Sequence, residues 1–72
     1  MKNLKEIVKQ AVEAKQDGYV NATRKSDGYI TSVATVWDDS EYDELMEEAT
    51  KEATQLINIS HWEIETFSFK IQ

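Results

Sequence analysis

The chain predicts an α+β fold, a two-layer α-β-β-α-β arrangement in which a three-stranded, mainly antiparallel sheet carries two helices on one face. Three observations lead there. Apolar residues recur at helical spacing in two separate stretches, β-branched and aromatic residues gather in two others, and Asp27-Gly28 stands between the first pair of β-rich runs.

Asn3-Leu4-Lys5-Glu6 reads as a helix start, with the Asn3 side chain placed to accept from a free N–H of the first turn and Glu6 placed to reach back. Leu4, Ile7, Val8, Ala11 and Val12 then share one helical face. Asp17-Gly18 is expected to close this helix, over residues 4–16, because glycine readily takes the left-handed conformation that ends one.

From Tyr19 the composition turns to Tyr, Val, Thr, Ile and Trp, which predicts strands over residues 19–25 and 29–37. Asp27-Gly28 is the hairpin signal between them, with both turn residues expected at positive φ. Ile30, Ala34 and Val36 lie on one parity of the second strand, and Tyr29, Val33 and Trp37 on the other. Neither face is strongly polar, so this strand is expected at the centre of the sheet.

Tyr42, Leu45, Met46, Ala49, Ala53 and Leu56 form the stripe of a second helix, expected to end at Asn58. Residues 59–71 read as a long last strand whose apolar parity changes, with Trp62 and Ile64 on one face and Phe67, Phe69 and Ile71 on the other. A shift of one residue flips a strand's faces, so a β-bulge near Glu65-Thr66 reconciles the halves. The alternative is a second apolar face that meets another molecule. A right-handed crossover through the second helix places the last strand beside the first and antiparallel to it.

Seventy-two residues make one domain, residues 1–72, near the lower size at which a single core holds a fold. With no cysteine, stability is left to packing, turns or a partner subunit. Neither a signal-type apolar run nor a membrane-spanning stretch is present, and a cytoplasmic location is expected. The net charge of −6 is unevenly placed: residues 1–36 hold six bases and four acids, residues 37–72 two bases and ten acids. A field of that sign disfavours nucleic acid and anionic lipid and favours cationic partners.

Residues 37–48, WDDSEYDELMEE, contain seven carboxylates. A calcium loop needs glycine at its sixth position and glutamate at its twelfth. Counted from Asp38 these are Asp43 and Ala49, and from Asp39 they are Glu44 and Thr50, so the motif fails. As a helix start the stretch does better, with Ser40 and Asp43, or Asp38 and Glu41, expected to cap free N–H groups. Asp43, Glu44, Glu47, Glu48 and Glu52 then cover the face opposite the apolar stripe. Beyond the first turn like charges repel at i, i+4, and Lys51 is the only base on this helix, so local structure does not account for Glu44, Glu47 and Glu48.

Chemistry leaves few traces, and no enzymatic activity is expected. There is no cysteine nucleophile, no serine motif for the single His61 to serve, and no glycine-rich loop for phosphate. His61, Glu63 and Glu65 share one side of the last strand and read as a polar face rather than a metal site; no metal or cofactor is expected. Of seven aromatic residues most are expected in the core, with Tyr29 and Trp62 as exposed anchors for a partner.

The expectation is a small binding protein whose acidic helix, through Asp43, Glu44, Glu47, Glu48 and Glu52, occupies a basic surface that normally holds nucleic acid. Small, acidic, cysteine-free chains of this style resemble, as a class, phage-encoded inhibitors that mimic DNA and block host nucleases and defence systems. The alternative is a structural or oligomerisation module, a homodimer formed through the edge or second face of the last strand. A third possibility is weak nucleic-acid binding by the basic half, through Lys2, Lys5, Lys9, Arg24 and Lys25 with Tyr19 or Tyr29 stacking on bases.

Overall fold

The computed structural model describes residues 3–60 and 64–71. The elements are α1 (Leu4–Ala14), β1 (Gly18–Arg24), β2 (Ile30–Val36), α2 (Tyr42–Ser60) and β3 (Ile64–Ile71). The strands form one antiparallel sheet in the order β2-β1-β3. This is the α+β class expected from sequence, with the last strand beside the first. α1 packs on β1 and β3, α2 packs on β2, and the helices touch each other.

Burial along β1 alternates: Gly18, Val20 and Ala22 are buried, while Tyr19, Asn21 and Thr23 are partly exposed on the uncovered face. One aliphatic cluster fills the space beneath the helices, from Ile7, Val8 and Ala11 of α1, through Val20, Val33 and Val36 of the sheet, to Leu45, Ala49 and Ala53 of α2. No polar or charged residue is buried among the described residues. The expectation of an aromatic core is corrected. None of the described aromatic side chains is buried; Phe67 and Phe69 pack at the core's margin, and Tyr29 and Trp37 stand 57% and 58% exposed. Ile, Val, Leu and Ala side chains fill the space between sheet and helices, and the rings lie at the rim.

At α1 the Asn3 side chain accepts from the Glu6 N–H at 2.9 Å, as expected. The helix closes differently. Lys15, at φ 51 and ψ 43, is the left-handed cap, and its N–H donates to the Val12 carbonyl at 3.3 Å. Gly18 instead opens β1, where a Cβ would stand 2.5 Å from the Lys70 carbonyl oxygen and 2.9 Å from the Phe69 ring. Glycine is needed there for the approach of β3 rather than for its φ.

The hairpin turns at the expected place through a longer loop, residues 25–29. Gly28 has φ +76, whereas Asp27 does not join it at positive φ. The Gly28 N–H donates to the Arg24 carbonyl at 2.9 Å and the Arg24 N–H to the Tyr29 carbonyl at 2.7 Å.

β2 is an edge strand, not the central one. Its register with β1 slips between Val20 and Asn21, pairing Val20 with Ala34 and Asn21 with Ser32, so Val33 is the extra residue of a bulge. A bulge lets neighbouring residues turn to one side. Val33 and Ala34 are accordingly both buried, at 2% and 4% exposure, while Ile30 is 58% exposed. The mixed parity of β2 therefore records a register slip, not two covered faces.

The bulge expected near Glu65-Thr66 is present: Thr23 pairs with Thr66 and Arg24 with Ile64, leaving Glu65 unmatched. The start of that strand is corrected. α2 continues through Asn58 to Ser60, and β3 begins only at Ile64. Asn58 permits a stop but does not impose one, and each further helical residue adds a hydrogen bond. Trp62, His61, Glu63 and Lys2 lie outside the described residues.

Candidate protein-binding surface

The start of α2 is held by its approach. Trp37 and Ser40 close a turn in which the Trp37 N–H donates to Ser40 Oγ at 2.8 Å and the Ser40 N–H donates to the Trp37 carbonyl at 3.1 Å. The Asp38 N–H donates to Asp17 Oδ1 at 3.1 Å, tying this turn to the residue just before β1. The expected Ser40 and Asp38 caps are thus replaced. Ser40 spends its hydroxyl on the turn, and the first described helical bond runs from the Leu45 N–H to the Glu41 carbonyl at 3.0 Å. Asp43 and Glu44 sit in the first turn, where the helix dipole favours negative charge.

Leu45, Ala49 and Ala53 are buried at i, i+4 and i+8, and this fixes the rotation of α2. Asp43, Glu44, Glu47, Glu48 and Glu52 are consequently all exposed. Among the described residues no base lies within salt-bridge reach of these five. The structure brings them together on one surface, as the spacing predicts.

Glu48 has a local duty that the sequence did not reveal. Its Oε2 accepts from the Thr35 N–H at 3.0 Å, satisfying a backbone donor of the edge strand. Along this seam between β2 and α2 run two adjoining grooves. One, of about 120 Å³, is lined by Trp37, Ser40, Glu41, Glu44, Leu45 and Glu48 with Thr35. The next, of about 250 Å³, runs from Ser32 to Thr35 and carries Glu48 and Glu52 on its helical wall.

Trp37 is the site residue missed from sequence. Periodicity assigned it to a covered strand face, yet β2 ends at Val36 and leaves the indole 58% exposed against Glu41, Glu44 and Glu48. The available signal was its place immediately before Asp38-Asp39-Ser40, where a strand gives way to a turn.

Tyr29 is exposed as expected but stands at the other end of β2 from Trp37, so the two are not one site. There the Arg24 guanidinium sits 5.2 Å from the Tyr29 ring centroid and makes two bonds to Asp27, at 2.9 and 2.8 Å. The Asp27 carboxylate also accepts from the Tyr29 N–H at 3.1 Å. The bonds from Arg24, then that from Tyr29, lower the Asp27 carboxyl to about 2, and Asp27 in turn raises Arg24 above its ordinary value.

Among the described residues no group of three His, Cys, Asp or Glu side chains is arranged to hold a metal ion, and no helix is long and apolar enough to cross a membrane. Comparison of the chain with protein families, with curated proteins and with solved structures returns no match.

Proposed function

We propose that this chain is a small acidic protein-binding module that acts as a nucleic-acid mimic of the phage-inhibitor type, docking the exposed face of α2 on the basic surface of a nucleic-acid-binding or defence protein. One observation carries the proposal: Asp43, Glu44, Glu47, Glu48 and Glu52 share an exposed face on which Lys51 is the one base of the helix, and among the described residues none of the five is in a salt bridge. From Asp43 to Glu52 the helix rises about 13.5 Å, and five carboxylates less Lys51 leave roughly one net charge per 3.4 Å, the axial spacing of charge along one DNA strand. Trp37 beside Glu41 and Glu44 adds a site suited to an arginine side chain, whose guanidinium stacks on an indole and pairs with carboxylates. Direct nucleic-acid binding has less support, because the Arg24 guanidinium it would use is engaged by Asp27 and Tyr29.

The test is affinity capture from the native host, run in parallel with the Glu47→Lys/Glu52→Lys variant. A partner captured by the native chain and bound at least about tenfold more weakly by the variant supports the proposal. A partner held equally by both contradicts it.

A further inference from the structure

We infer that β3 is a self-association edge: two copies of the chain join β3 to β3, antiparallel about a two-fold axis normal to the sheet, into one six-stranded sheet with all four helices on one face. This stands independently of the acidic surface.

The two edges of the sheet are treated differently. On β2, the bulge at Val33 interrupts the ladder, the Thr35 N–H is taken by Glu48, and the Trp37 N–H just beyond the strand is taken by Ser40. These are devices by which proteins blunt an edge. On β3, no strand among the described residues pairs with the outer side. The Glu65 bulge confines disruption to the strand's beginning and leaves residues 66–71, TFSFKI, in unbroken register with β1 and free of proline and glycine.

That edge also carries apolar side chains. Phe67, Phe69 and Ile71 pair with Ala22, Val20 and Gly18 of β1, which places them on the helix-covered face. The two rings are only partly buried and Ile71 is 50% exposed, so the core thins out where the sheet stops. A two-fold partner brings the same three residues to cover them, as an isologous contact requires.

Charge selects a second copy as the occupant. β3 holds Glu65 and Lys70, and α1, packed over it, holds Lys5 and Lys9 against Glu6 and Glu13, so this side of the molecule is balanced. The excess acid lies on α2, over β2. Two chains of net charge −6 meet at β3 with their acidic faces turned to opposite ends of the joined sheet.

Light scattering on the native chain, from low micromolar to submillimolar concentration, is expected to read twice the chain's 8.3 kDa. Ser68→Lys adds a second exposed lysine beside Lys70 at the middle of the pairing stretch, where two-fold pairing sets like charges against each other, and is expected to halve that mass with the far-ultraviolet circular dichroism unchanged. If that variant does not fold, Ile71→Lys at the half-exposed position is expected to give the same loss. A monomer across the whole range overturns the inference. So does a dimer that persists in a folded variant, or one abolished by Glu47→Lys/Glu52→Lys.

Discussion

Lys15 holds a left-handed conformation that costs a residue with a Cβ about 1–2 kcal/mol. Glycine removes that cost but adds about 0.5–1 kcal/mol of unfolded-state entropy. Lys15→Gly is therefore predicted to stabilise the fold modestly, by up to about 1 kcal/mol, and to raise the thermal midpoint by a few degrees. At the hairpin tip the sign is set by Asp27, whose carboxyl is lowered to about 2 in the folded chain. Its contribution is present above the ordinary aspartate range and disappears as pH falls through about 2. A carbon-detected NMR titration is predicted to place the Asp27 midpoint near 2, and Arg24→Ala is predicted to move it up toward 3.8, the ordinary value. Glu48 shows why carboxylates that look alike in sequence differ in role. It alone among the five accepts a backbone bond from the sheet, so it is unsuited to a charge-reversal test of binding.

Element by element, local signals and long-range pairing divide the fold into what is legible and what is not. Both helices were visible in their apolar stripes, and Leu45, Ala49 and Ala53 face the core as that spacing requires. The bulge in β3 was legible because Phe67, Phe69 and Ile71 outweigh the opposite parity. The equivalent slip in β2 was not, because Val33 and Ala34 look like residues of two faces until the pairing with Val20 and Asn21 is known. That same slip misled the placement of β2 at the centre and hid the exposure of Trp37. Gly18 teaches a related lesson, since a glycine after a helix suggests a cap and its actual constraint is a strand some fifty residues away. Gly18→Ala is predicted to cost about 1–3 kcal/mol in denaturant unfolding, because the carbonyl of Lys70 is backbone and yields poorly. On α2, Glu47→Lys/Glu52→Lys turns the like pairs with Asp43, Glu44 and Glu48 into opposite pairs, at the cost of setting the new lysine at 47 against Lys51 as one like pair. At about 0.2–0.5 kcal/mol per pair, the variant is predicted to be slightly more stable than the native chain. An acidic face that weakens its own helix is consistent with a purpose outside the helix.

Across the whole molecule, charge and edge are sorted to opposite sides. α2 over β2 carries the excess acid and the exposed Trp37, while α1 over β3 is balanced and borders a strand whose outer side no strand among the described residues pairs with. This division was half visible in the sequence, as −8 in residues 37–72 against +2 in residues 1–36. The spatial half needed the strand order, because Lys70 and β3 belong by sequence to the acidic end and by position to the neutral one. If the α2 face substitutes for phosphates, it must compete with nucleic acid for its partner, and salt must weaken the complex. The most direct measurement is fluorescence anisotropy of a labelled nucleic acid bound to the captured partner, followed as the chain is added. The native chain is predicted to return the anisotropy to the free value and Glu47→Lys/Glu52→Lys to leave it high. An anisotropy that the native chain leaves unchanged or raises, or that both chains lower equally, would contradict the account.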